Sequence, residues 1–390
     1  MKKKHLIILC SILMVSCSKN SETKNNTQEE SSISFVDPFI GTGGHGHTYP
    51  GATVPFGMLQ VSPVNGISEW DWCSGYHYSD DVLVGFSHLS LSGTGIGDLA
   101  DIIFMPVNKD VDLTINPQSR DSISYKSSYS HKNEKASPGY YQVFLEDHDV
   151  NVELTTSKRT ANHKYSFKKG DKNSVVIDLG FAINWDRPLE TSLNIEDEFT
   201  ISGTRFSKGW ANNQKVFFVA KFSKPMVSHK LYADGNLTAE KSAKSKKTST
   251  QLFFDTDDKN ELQVKVALSS VSIENAKDNL DTSDFNFEGV KTSAENSWEK
   301  ALSSFNVETK TDSLKTIFYT ALYHAQLAPV TFSDKNGQFR LENDSIVTAE
   351  NYTAYSTLSL WDTFRAEHPL LTLIAPDKAS DMINSMLAYY

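Results

Sequence analysis

Between about residue 100 and residue 272 the chain alternates apolar and polar residues in short runs. Tyr140–Glu146, Val150–Thr156, His163–Phe167 and Val175–Leu179 come first. Phe199–Phe206, Val216–Phe222, Gln251–Phe254 and Leu262–Leu268 follow. A period of two sends neighbouring side chains to opposite faces of a strand. No helical pattern interrupts the runs, and Lys168-Lys169-Gly170-Asp171 supplies a turn between two of them. The pattern predicts a large antiparallel β-sandwich. Ser242 to Ser249, polar and lysine-rich, reads as a solvated loop at a hairpin end.

The period changes near Asp284. Residues 287–302 and 313–327 fit helices, and Leu314, Ile317, Phe318, Ala321 and Leu322 give the second an apolar face. Thr311, Asp312 and Ser313 are N-cap candidates. A further helix is expected after Pro376. The chain thus reads as multi-domain α+β. A β-sandwich spans 35–280, a helical linker 281–310, and the opening of a helical domain 311–390. Some eighty residues after position 310 are few for an independent helical catalytic domain, so that domain reads as incomplete at Tyr390.

The first residues read as an address. Lys2, Lys3 and Lys4 precede an apolar run from Leu6 to Val15, too short to span a bilayer. The run ends in Met14-Val15-Ser16-Cys17, which resembles a bacterial lipoprotein box. That resemblance implies a signal peptide over 1–16, a lipid on Cys17, and anchoring in the bacterial cell envelope, on the periplasmic or the outer-membrane surface. Residues 17–34 are polar and without aromatics until Phe35, as in a flexible tether. Cys10 would leave with the signal, making Cys73 the one free thiol.

Hydrophobic residues make up 39% of the chain, enough for a packed core. Lys+Arg 38 against Asp+Glu 48 gives a net charge of −10, and loss of the three signal lysines would take it to −13. An acidic chain without a basic run argues against nucleic acid as a partner.

Three segments look chemical. Residues 35–62 hold six glycines and three prolines, including Gly43-Gly44-His45-Gly46-His47, and cannot be regular structure. Such a loop lets backbone approach a ligand. His45 and His47, two apart, point the same way on an extended segment, but no further ligand sits at metal-site spacing, and no metal is assigned. Residues 69–78 read Glu-Trp-Asp-Trp-Cys-Ser-Gly-Tyr-His-Tyr. Aromatic faces among polar groups suit sugar stacking, and equally suit a core cluster under a loop. The glycines of Phe86–Asp98 lack the Gly-Lys-Ser/Thr and βαβ setting of a phosphate loop. Asp362 and Arg365, three apart in Leu-Trp-Asp-Thr-Phe-Arg, share one helical face. They can bind vicinal hydroxyls or form a structural ion pair.

The segments Val36–Gly43, Tyr49–Ser62, Trp72–Tyr76, Phe86–Gly97, Tyr319–Ala328 and Leu360–Pro369, in this order and spacing, resemble glycoside hydrolase family 92 from about Ser34 to Tyr390. The resemblance implies a β-sandwich, a helical linker and a C-terminal (α/α)6 barrel, here only its start. It implies a calcium-dependent, inverting exo-α-mannosidase, mostly α-1,2, acting on mannose-containing glycans such as N-glycans or yeast-type mannan. A Glu acid and an Asp base would stand roughly 6.5–9.5 Å apart to admit water. The family's acid, base and calcium ligands follow the Trp-Asp-x-x-Arg motif at a distance, so they are expected beyond Tyr390 and the 390 residues alone are expected to be inactive. By resemblance Asp362 and Arg365 bind the sugar, Trp361 shapes its floor, and Gly44, His45, His47, Trp70, Trp72 and Cys73 build the sandwich-side wall. The alternative is a non-catalytic, glycan-binding surface lipoprotein.

Overall fold

A computed structural model describes residues 30–66, 69–114, 119–168, 172–256 and 259–389. The signal peptide over 1–16, Cys10, Cys17 and its lipid, most of the tether, and part of the Lys168–Asp171 turn lie outside the described residues. From Ser32 onward the chain forms one compact unit.

The alternating runs are strands. Val150, Val152 and Leu154 are buried while Asn151 and Glu153 are half-buried, as a two-residue period requires. One sheet has seven strands, in the order Ser62–Val64, Gly85–Ser87, Ile103–Val107, Ser174–Asp178, Thr248–Phe254, Met226–Ala233, Asn236–Thr238. The other has nine, in the order Ser242–Ser245, Arg187–Ile195, Thr200–Lys208, Gln214–Phe222, Glu261–Ser269, Thr160–Phe167, Val150–Thr156, Tyr140–Leu145, Glu134–Ser137. Every ladder in both is antiparallel. The main apolar cluster draws Phe86, Phe104 and Leu252 from the first and Tyr141, Val152 and Phe218 from the second.

Within that core His88 and His163 form a hydrogen-bonded chain. The Ile102 carbonyl accepts from His88 Nδ1 at 2.7 Å, the two Nε2 atoms lie 3.0 Å apart, and Tyr165 Oη donates to His163 Nδ1 at 2.9 Å. This order fixes both tautomers with each ring neutral: a proton added to His88 Nε2 would set two N–H groups face to face, and one added to His163 Nδ1 would displace the hydrogen bond from Tyr165 Oη. Burial pushes His88 down to about 4 and His163 well below the ordinary range.

Three helical stretches follow the sandwich: α1 (Ile273–Asn279), α2 (Phe287–Leu302) and α3 (Asp312–His324). Asn286 caps α2 by accepting the Gly289 N–H at 3.0 Å. Phe287, Ala294, Trp298 and Leu302 form its buried stripe. Trp298 is fully buried, donates from Nε1 to the Thr53 carbonyl at 2.7 Å, and packs on Tyr323 of α3 at 4.5 Å. The segment 32–58 runs between sandwich and helices as a strap. Glu299 accepts from the Ser32 and Ile33 N–H groups, Thr320 Oγ1 from Asp37 N–H, and the Gln326 carbonyl from Phe56 N–H.

Four expectations are corrected. Ser242–Ser245 is an edge strand rather than loop; it pairs with Arg187–Ile195, and Lys244 reaches Glu190 at 2.8 Å. The tether ends before Ser34, because Ser32–Phe35 forms a 3-10 turn docked on Glu299. α3 turns Tyr319, Leu322 and Tyr323 inward and leaves Leu314 and Ile317 exposed, because the partner surface is the Trp298 and Phe35 rings. Thr311 occupies the N-cap position of α3 without a side-chain cap. The short helix α1 had no signal beyond its Ser272 cap, which accepts from Asn275 N–H.

Truncating Trp298 to alanine should cost about 3–5 kcal/mol, as for other buried aromatics, read from the urea midpoint. A loss under about 1 kcal/mol would show that the strap and helices hold without it. The histidine chain predicts a pH effect. Unfolded imidazoles bind protons below about 6.5 while the folded pair stays neutral, so its contribution is full above that pH and is lost as pH falls through about 4. Nitrogen NMR at pH 5.5 should find both rings neutral; a protonated ring would refute the assigned chain.

Candidate functional site

The strap opens into a loop over 41–48. Its Gly41, Gly44 and His47 have φ of 85°, 59° and 53°, and hydrogen bonds from Gly46 N–H to Gly43 O and from Thr48 N–H to Gly41 O close it. A Cβ on Gly46 would fall 2.0 Å from the Gly41 carbonyl oxygen, so this turn requires glycine. The second wall is one 3-10 turn, Trp70–Trp72, entered through Glu69 at a φ of 96°.

Asp71 joins the two. One of its oxygens lies 2.6 Å from His45 Nδ1 and 3.6 Å from His47 Nε2. The Trp70 ring lies against both imidazoles, 5.3 Å from His45 and 4.2 Å from His47, and its Nε1 donates to Gly95 O at 2.9 Å. His45 and His47 therefore do converge, on a carboxylate. The hydrogen bond from His45 holds the Asp71 carboxyl below its usual range. His47 is buried with no hydrogen bond to Nε2. Gly44 is exposed, and its carbonyl lies 3.1 Å from His77 Nε2.

Two of the residues expected in the sandwich-side wall are covered rather than open to a ligand. Cys73 is 1% exposed and its thiol donates back to Trp70 O at 2.6 Å, so it cannot reach a ligand. Burial also pushes that thiol up, away from reactivity. Trp72 is half-buried, donates to Asp80 at 3.2 Å, and packs on His77. The accessible face consists of Gly43, Gly44, His45 and Trp70.

The Trp361 segment lies on α4 (Leu360–Thr363), ahead of α5 (Glu367–Ile374) and α6 (Pro376–Leu387). Trp361 is 75% exposed, and Asp362 and Arg365 are exposed beside it. They do not form the ion pair that their spacing allowed. Asp362 Oδ2 accepts from Ser359 Oγ at 2.5 Å, while Arg365 Nη1 donates to Trp361 O at 3.0 Å and its guanidinium lies over Phe364 at 4.4 Å. Burial, then the Asp362 charge, pushes the Glu367 carboxyl up to about 7. Sequence reasoning did not single out Asp71, His77 or Glu367; Asp71 had a signal, being between two tryptophans in one turn. Among the described residues, no hydrogen bond, ion pair or ring contact links this segment to the 41–48 loop. Among the described residues no group of three or more His, Cys, Asp or Glu side chains is placed to hold a metal ion.

Family models match the chain along nearly its whole described length: the glycosyl hydrolase family 92 N-terminal domain over residues 35–269, and the family 92 catalytic domain over 274–390. A solved family 92 α-mannosidase from Bacteroides thetaiotaomicron is 36% identical with a TM-score of 0.88, covering 93% of this chain and 50% of its own. The same enzyme has been solved with mannoimidazole bound. A family 92 inverting mannosidase from that organism is 25% identical, TM-score 0.79, over 92% of this chain and 48% of its own. An uncharacterised secreted glycosidase of Arthroderma benhamiae is 23% identical over 78% of this chain and 42% of its own. The chain thus spans about half the length of the relatives it matches.

The His45–Asp71 contact can be read directly. Asp71 should titrate below 3.8 by carbon NMR, and His45→Ala should raise it toward that value. An unchanged midpoint in the variant would mean the contact is not formed in solution.

Proposed function

The chain belongs to glycosyl hydrolase family 92, and on that premise we propose that its protein is an exo-α-mannosidase. It removes terminal mannose from mannose-containing glycans, mainly at α-1,2 linkages, with inversion and with calcium. Asp362 and Arg365 take hydroxyls of the terminal sugar, Trp361 gives its ring a floor, and Gly44, His45 and Trp70 face it from the sandwich side. The protein works in the bacterial envelope, anchored through Cys17. Among the described residues no helix is long and apolar enough to cross a membrane.

One observation carries the sugar-binding assignment. Asp362 and Arg365 stand exposed beside an open indole and are not paired with each other. An acceptor and a planar donor fork so placed meet vicinal hydroxyls, which give and take hydrogen bonds at once. Calcium, when bound, supplies a hard cation for sugar oxygens. The residues named above bind and orient the sugar, and no acid–base pair is assigned among them.

The test is mannose release from α-1,2-, α-1,3- and α-1,6-mannobiose by the protein as its gene encodes it, with and without EDTA. The α-1,2 substrate should be cut best, EDTA should abolish release, and proton NMR should show β-mannose forming first. Asp362→Ala should lower kcat/KM about ten- to a hundredfold, the worth of a hydrogen bond to a charged group. Glycan binding without mannose release from any linkage would replace the enzyme with a surface glycan-binding protein.

A further inference from the structure

The glycine-rich run Phe86–Asp98, which is no phosphate loop, does something else. Its last turn holds three tryptophan segments. Gly95 O accepts from Trp70 Nε1 at 2.9 Å, Gly97 O from Trp185 N–H at 3.4 Å, and Asp98 Oδ2 from Ala211 N–H at 3.0 Å, next to Trp210. Two glycines permit these approaches. A Cβ on Gly97 would lie 2.0 Å from Asn184 Nδ2, and one on Gly209 would lie 2.5 Å from Asp98 Oδ1. One loop therefore fixes Trp185 and Trp210 relative to the Trp70 wall.

Trp185 and Trp210 come from different segments yet stack, with centroids 6.3 Å apart and planes 28° from parallel. They are 59% and 64% exposed. Their mount is anchored in the core. Asp186, the residue after Trp185, holds the fully buried Arg205 from one side while Asp101 holds it from the other. Arg205 also donates to the Leu179 and Phe181 carbonyls at 3.2 and 2.8 Å. Two exposed indoles placed side by side contribute little to folding, so their pairing points to a ligand. The patch is two side chains, far from the roughly 1,000 Å² that a stable protein interface needs. Its size and flatness suit one or two pyranose rings, whose C–H faces stack on indole. Asn212 and Arg187, exposed in the same two segments, offer polar partners for hydroxyls.

We propose that Trp185 and Trp210 form an accessory sugar-stacking platform. It takes pyranose units of a long mannose-containing glycan, away from the sugar held at the Trp70 wall. The proposal rests on the mannoside reading for the identity of the sugar. It explains why the platform and the wall share one rigid loop: a polymer gains from two contacts only if their separation is fixed.

The test is the Trp185→Ala/Trp210→Ala double variant of the protein as its gene encodes it. Retention on mannan-containing affinity gels should fall, and KM for mannan should rise about five- to tenfold with kcat unchanged, the sign of lost uniform binding. Mannobiose hydrolysis should be unaffected. Trp185→Tyr/Trp210→Tyr should restore most of the retention, because a phenol ring still stacks. Equal losses on mannobiose and mannan, or unchanged retention on mannan, would overturn the platform. The gel is read independently of hydrolysis. If the parent protein releases no mannose but is retained, and the double variant is not, the platform stands while the mannosidase reading falls. If the parent passes through unretained, the platform is wrong.

Discussion

A fully buried indole with one polar atom must find an acceptor, and Trp298 finds its acceptor in the Thr53 carbonyl. That requirement brings together three stretches remote in sequence: the strap 32–58, α2, and Tyr323 of α3. Leaving the N–H unpaired in the core would cost about 1–3 kcal/mol, so strap and helix cannot part cheaply. The strap then adds its own bonds to Glu299, Thr320 and Gln326. The 41–48 loop is part of that strap, so its place over the sandwich depends on the indole.

The sandwich was legible because its strands have a buried face and a wetter face. Val150–Thr156 and Phe287–Leu302 were read to the residue, one from a period of two and one from a period near 3.6. The errors fall where neighbours outvote local pattern. Leu314 and Ile317 are apolar and lie on one face, yet α3 turns its tyrosines inward because Trp298 and Phe35 offer rings to pack on. Ser242–Ser245 has Ala243 as its one apolar residue and becomes a strand because Arg187–Ile195 presents an unpaired edge. Its lysine then guards that edge in its turn.

The site was legible as segments and not as geometry. Glycines and tryptophans marked the 41–48 loop and the Trp70 turn, since close backbone approach and aromatic faces leave a trace in composition. What the sequence could not say was which side chain faces out. Cys73 and Trp72 lie in the same short motif as Trp70, but one turn of 3-10 helix sends them inward while Trp70 remains 55% exposed. Nor did spacing reveal that His45 and His47 share Asp71, which lies 26 residues beyond His45.

The two halves of the candidate site differ in how their polar groups are committed. On the sandwich side, His45 and Asp71 already satisfy each other, and the 41–48 backbone is closed by its own hydrogen bonds. On the proposed reading this half is a preorganised surface, and a sugar meeting it would lose little to reorganisation. In the Trp361 segment, Asp362 on α4 and Arg365 in the turn after it bond to neighbours on their own segment and keep further capacity facing solvent. Had they formed an ion pair with each other, a hydroxyl would have had to break that pair before binding, and the net gain would shrink by the strength of a charge-assisted hydrogen bond. Separation of the two heads is therefore what would let them act on a ligand as proposed. The raised Glu367 carboxyl fits the same logic. Burial and then the Asp362 charge push Glu367 up, which lessens the negative charge near Asp362.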